Sequence, residues 1–397
     1  MSADAHLTDE ARVETEYRVS TLELFFDLVF VFTITQLTRT LADDTSPRGF
    51  AQVVIMLFVI LWMYFGYVWL TNAVPPTTTG RRLLLVAGMG GFLVIALAVP
   101  NAFGTAGVAF GIGYLIVNLV HSGLFISAGG PGSAAAMARL APFNLGSAGL
   151  VFLGGFLPPL ARAAAWTAAV VLMVVSPYVN RRHGEFRIRS AHFVERHGLV
   201  VIIAIGESII AIGVGAAGLP LTPPLVIAAL LGLALVYQLW WCYFGHDQDV
   251  RAEHGLAALS PVQRARKALS AFGWAHAPML LGIVVVAVGV KKTIGHATEH
   301  LYLSGALALG AGAALFLFGQ VVFRALLGIG TVRWRVAATV ASLATVPIGL
   351  WLAIAQVAAL VLVFGALFVV EGRSQTSQTA VSGGSWSPSI GPDDSST

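Results

Sequence analysis

Charge is scarce in this chain: Asp, Glu, Lys and Arg make up 11% of its 397 residues, while 57% are hydrophobic. A soluble domain carries roughly a quarter of its residues as charges, so a water-surrounded core of this size is excluded. Cysteine is nearly missing. The single Cys242 excludes an intramolecular disulfide and any cysteine-cluster metal site. Large polar loops between the apolar runs are also lacking, which leaves no room there for a large soluble domain. No glycine-rich run stands between a strand and a Lys as a phosphate loop requires, and no Ser or Cys nucleophile has an evident base. No cofactor, metal or nucleic-acid partner is therefore expected.

What is there instead is apolar sequence in lengths that match a bilayer. Crossing about 30 Å of hydrocarbon takes about 20 helical residues. Such runs read at 20–42, 50–71, 83–102, 106–127, 138–157, 161–179, 196–216, 224–245, 269–290, 301–322, 335–351 and 353–370, giving an all-α polytopic membrane protein of about twelve spans. The polar first 19 residues show neither a basic start nor a small-residue cleavage site, so the first span is expected to persist. With the N-terminus cytoplasmic, the inner segments hold 18 of the 23 Lys and Arg residues, and the outer segments hold Arg39, Arg48, Arg162, Lys291 and Lys292. That asymmetry follows the positive-inside rule and sets both termini in the cytoplasm. The stretch "RRHGEFRIR" at 181–189 lies in a basic connector, 181–195, suited to an anionic lipid surface. The tail, 373–397, is rich in Ser, Thr, Gly and Pro and is expected to be disordered.

The chain also repeats itself. "WMYFG" at 62–66 returns as "WCYFG" at 241–245, and Glu23 in "LELFFDLVFVF" falls on Glu195 in "VERHGLVVIIA" at an offset of 172. Two six-helix halves, 20–180 and 196–372, follow; six crossings return the chain to its starting side, so the halves are parallel copies.

The stretches "ELFFDLVFVFTITQL" and "HFVERHGLVVIIAIGESIIAIG" resemble the two signature segments of the bacterial low temperature requirement A (LtrA) family, and the likeness covers roughly 18–372. It implies a multi-pass protein of the bacterial cytoplasmic membrane linked to growth in the cold. More remotely, "FFDLVFVFTI" is similar to the potassium channels whose six-helix repeats begin with a Phe-Ser-Asp motif. Here Phe26 stands in place of the Ser, and Leu199 stands where the second Asp would fall.

Candidate functional residues are the polar groups that interrupt apolar spans, because an intramembrane charge costs about 3 kcal/mol on insertion scales and normally faces a partner or water. Asp27 lies about 10 Å into the first span, with Glu23 one turn outside it on the same face. Both could pair with Arg81, Arg82 or Arg266, or line a path. Glu207, in "GES", is nearer the middle, with no Lys or Arg expected at its depth and His276 as the nearest titratable group. His276 precedes Pro278, which strips a donor from the helix and frees the Trp274 carbonyl. His121, beside Asn118 and Ser122, reads more readily as packing. His192 and Glu195 share a helix face, but their spacing fits no zinc-protease motif. The polar groups fall toward the cytoplasmic side, as expected of a cytoplasm-facing polar vestibule closed by an apolar outer plug. The preferred reading is an ion or small-solute transporter or channel, with Glu207 or Asp27 as proton carrier; the alternatives are a membrane-embedded enzyme acting on a lipid or isoprenoid, and a sensor. Partners are membrane lipids and an unidentified ion or small molecule, with homo-oligomerisation left open.

Overall fold

The structure, a computed structural model, describes residues 18–179, 186 and 188–383. Expectations for 1–17, for most of the basic connector and for 384–397 lie outside the described residues. Every regular element among those described is helical: α1 Thr21–Asp43, α2 Pro47–Ala73, α3 Thr79–Ala98, α4 Gly107–Ala128, α5 Gly130–Gly154, α6 Pro159–Val179, α7 Ser190–Ala216, α8 Pro223–Phe244, α9 Gln248–Ala257, α10 Pro261–Lys267, α11 His276–Gly295, α12 Leu303–Leu327, α13 Arg333–Ala344, α14 Val346–Gly349 and α15 Ala353–Gly383. A seven-residue π-helical stretch, Ala268–Trp274, joins α10 to α11.

Eleven of the described helices are long and apolar enough to cross a membrane. The chain is a polytopic all-α membrane protein. Of the twelve expected spans, 335–351 does not qualify, because α13 stops at Ala344 and only the short α14 follows. Pro347 has no N–H to continue the ladder, and its ring obstructs the carbonyl four residues back. The segment nevertheless runs the depth of the bundle: Arg335 meets Gln320 near one end of α12, and Gly349 accepts from Leu301 just beyond the other. Two other boundaries differ from expectation. Helix α7 starts at Ser190, so 190–195 is helical rather than connector, and α15 continues to Gly383, into the stretch expected to be disordered.

Local sequence explains the helix starts. Ser20 and Glu23 form a reciprocal capping box, with Glu23 Oε2 accepting from the Ser20 N–H at 2.9 Å. Ser46 caps α2 ahead of Pro47 at its first turn, where a missing N–H costs nothing.

The order of packing is the same in the two parts of the chain. In the first, α1 packs on α2 and α3, α3 on α4, α4 on α5, α5 on α6, and α2 on α6. In the second, α7 packs on α8 and α11, α11 on α12, α12 on α13, α13 on α15, and α8 on α15. Each part has a glycine crossing between corresponding helices. A Cβ on Gly91 would lie 2.9 Å from the Gly113 carbonyl oxygen, and one on Gly113 would lie 2.7 Å from that of Gly91. Gly282 and Gly312 face each other in the same reciprocal way, at 2.7 and 3.1 Å. Without a hydrophobic force between helices in lipid, close backbone contact through small residues is what holds such pairs together.

Cross-chain bonds place the start of α1, the end of α2, the start of α7, α10 and the end of α12 at one end of the bundle: Glu23 meets His192, Asn72 meets Arg189, Arg264 meets Ile188, and Lys267 meets Leu326. That end also carries Arg81 and Arg82, and is called the basic end below.

Candidate functional site

The carboxylates of α1 reach α7 and α2 in a closed network. Asp27 Oδ2 accepts from Arg196 Nη1 at 2.5 Å, and Asp27 Oδ1 accepts from the Tyr64 hydroxyl at 2.9 Å. The same Arg196 nitrogen donates to the Glu23 carbonyl at 3.0 Å. Glu23 Oε1 meets His192 Nε2 at 2.9 Å, with both side chains wholly buried. The His192 tautomer follows from its neighbours. The Arg189 backbone N–H donates to Asn72 Oδ1, which turns Asn72 Nδ2 toward His192 Nδ1 at 3.2 Å. Nδ1 must then accept, so Nε2 carries the proton it gives to Glu23.

The partner is therefore Arg196, and not the expected arginines: Arg81 and Arg82 donate instead to the carbonyls of Pro75 and Pro76. A pattern in the sequence could have pointed to Arg196. Glu23 and Asp27 are four apart on one lead helix, His192 and Arg196 four apart on the other, and each pair presents one face. Glu195, the repeat counterpart of Glu23, points elsewhere, exposed and within 3.2 Å of the Val19 backbone N–H.

A second buried network, not anticipated from sequence, sits between α12, α13 and α15. Glu371 accepts from Arg324 at 2.7 Å and from Arg335 at 3.0 Å, Arg335 donates to Gln320 at 2.6 Å, and Arg324 donates to Gln248 at 3.0 Å. Its residues are too dispersed in sequence for spacing to reveal it. Each network ties its charged groups to one another and to neighbouring polar groups, the first with two carboxylates around one arginine and the second with two arginines around one carboxylate, so these residues form locks rather than the expected open vestibule.

The remaining candidates are apart from these. Glu207 is buried toward the far end, where Thr35 Oγ1 donates to its Oε2 at 2.5 Å. Thr35 and Glu207 are separated by 172 residues, the offset that relates Glu23 to Glu195. His276 bonds Tyr243 through Nε2 at 2.8 Å and the Ala271 carbonyl through Nδ1 at 2.9 Å. The backbone acceptor is the carbonyl of Ala271 rather than that of Trp274, both within the π-helical stretch.

His121 Nε2 donates to the Gly66 carbonyl at 3.0 Å and helps wall a cavity of about 140 Å³. Its walls come from α2, α4, α5 and α6 on one side and from Ala265, Leu269, Gly273, Trp274 and Ala277 on the other. The cavity lies in the half of the bundle nearer the basic end. Toward the far end the same helices close over it, with Phe110 stacked on Trp166 at 4.7 Å and Tyr114 fully buried. Arg162 locks that cap by donating to the carbonyls of Ala102, Gly104, Gly155 and Leu157 at 2.6–3.1 Å.

Packed helices of membrane length, buried charge locks and an internal cavity define a multi-pass membrane protein. Residues 18–370 match the family model described as "Bacterial low temperature requirement A protein (LtrA)", and the chain belongs to that family. A relative from Rhizobium meliloti (strain 1021), itself described as uncharacterised, is 31% identical over 316 residues, covering 75% of each chain. No solved structure matches the chain.

Proposed function

We propose that this protein is a carrier of a small solute across the bacterial cytoplasmic membrane. On this reading it is built from two parallel six-segment repeats with the basic end cytoplasmic, and it moves its solute without chemical change. The observation that carries the reading is the cavity. Its walls belong to both parts of the chain, it lies toward the basic end, and aromatic packing with the Arg162 clip closes the far side. A site between repeats that opens to one side at a time is the arrangement alternating access requires. Support for the repeat is the shared order of packing, the paired glycine crossings, and the Thr35–Glu207 contact at the repeat offset. Glu207 serves as the coupling group in this reading: its carboxylate is bound by one hydroxyl, whereas Glu23, Asp27 and Glu371 are held in networks.

The single cysteine makes a direct test available. Cys242 is buried and would be replaced by Ala, after which Leu140→Cys places a thiol on the cavity wall. A membrane-impermeant maleimide should label it readily from the basic face and slowly, at the cycling rate, from the opposite face. Labelling from the basic face alone under every condition would mean a static pocket and no carrier.

A further inference from the structure

Within the cavity, Asn144 presents a hydrogen-bond donor that no described residue receives. The indole of Trp62 can only donate, and its Nε1 lies 3.1 Å from Asn144 Oδ1. That contact fixes the amide orientation and turns Nδ2 the other way. Asn144 is 6% exposed and lines the cavity, its side chain makes no further hydrogen bond among the described residues, and its Nδ2 is not among the sealed buried atoms. The open surface of Nδ2 therefore faces the cavity. His121 offers no comparable group, since Nε2 is spent on Gly66 and Nδ1 is sealed. Among the described residues that line the space there is no Asp, Glu, Lys or Arg, and much of the wall is aromatic, including Phe58, Phe65, Trp69, Phe125 and Trp274. A charged ligand would enter without a counter-ion, which burial strongly disfavours.

We infer that this cavity binds a neutral molecule of about one aromatic ring in size that carries a carbonyl or ether oxygen seated on Asn144 Nδ2. The volume sets the size, because an apolar cavity of about 150 Å³ holds one benzene. The chemistry sets the oxygen. A carbonyl or ether satisfies the amide and adds no donor of its own, whereas a hydroxyl would bring a proton into an apolar enclosure. The inference names the substrate class of the proposed carrier and rests on that reading for the word substrate; the binding itself is tested without flux, so failure of carriage would leave it standing.

The experiment compares acetophenone with ethylbenzene, which keeps the ring and the two-carbon chain and lacks the oxygen, on the full chain in nanodiscs. The readout is tryptophan fluorescence, since Trp62 and Trp274 line the site. One hydrogen bond to a neutral acceptor is worth about 1 kcal/mol, so acetophenone should bind roughly fivefold more tightly. Asn144→Leu should erase that preference while ethylbenzene still binds. Val174→Trp, which fills the space without touching Asn144, should abolish binding of both probes at an unchanged melting temperature. Equal affinity of the parent for the two probes would overturn the inference. So would a preference that persists in Asn144→Leu, or acetophenone binding that survives Val174→Trp.

Discussion

At Asp27, a carboxylate and a guanidinium have both been removed from lipid and water, and each depends on the other. Breaking such a buried pair from one side typically costs about 3–5 kcal/mol, because the remaining charge stays buried, whereas an apolar pair of similar volume is often neutral. Asp27→Asn or Arg196→Met alone should therefore lower the melting temperature in detergent sharply, and Asp27→Leu with Arg196→Met should recover most of it. If solute flux returns with the double change, Asp27 is a lock; if stability returns without flux, Asp27 is part of the path. Glu207 calls for a different outcome. Glu207→Gln keeps the shape and can still accept from Thr35, so folding should be preserved while any dependence of flux on a pH gradient disappears. Gradient dependence equal to that of the parent would reduce Glu207 to a packing residue.

Among the helices, neighbouring glycines on α3 make opposite predictions. A Cβ on Gly90 meets nothing within 4 Å, so Gly90→Ala should raise stability by about 0.5–1 kcal/mol through lost backbone freedom in the unfolded chain. A Cβ on Gly91 would lie 2.8 Å from Val117 and 2.9 Å from the Gly113 oxygen, so Gly91→Ala must push α3 and α4 apart, at about 1–3 kcal/mol. Thermal melts of the two variants in one detergent decide this. Equal shifts would mean that the crossing tolerates a methyl group. Hydropathy placed α3 and α4 readily, but it could not distinguish Gly90 from Gly91, because which glycine faces the neighbour depends on how the helices rotate as they pack.

For the whole molecule, the basic-end bonds and the charge asymmetry make one topological prediction. Reporter fusions after Arg373 and within residues 251–264 should both read cytoplasmic. A periplasmic signal from the first alone would mean that α13 and α14 do not carry the chain across. A periplasmic signal from the second would break the parallel repeat, since an odd number of crossings would then separate α1 from α7.

The sequence by itself determined that this chain lives in a bilayer, roughly where most of its spanning helices lie, and which family it joins. These follow from local quantities: 1.5 Å of rise per residue, the cost of charge in hydrocarbon, and capping groups three residues apart. It also put Glu23 and Asp27 on one face. Only the tertiary structure decided what that face meets. Arg196 is 169 residues from Asp27, and the choice of Arg196 over Arg81 or Arg82 depends on α7 lying against α1, with the loop carbonyls of Pro75 and Pro76 taking the other two. The Glu371 network and the cavity have the same origin. Each is assembled from helices distant in sequence, and a pattern read along one helix has no means of registering what a neighbouring helix brings to it.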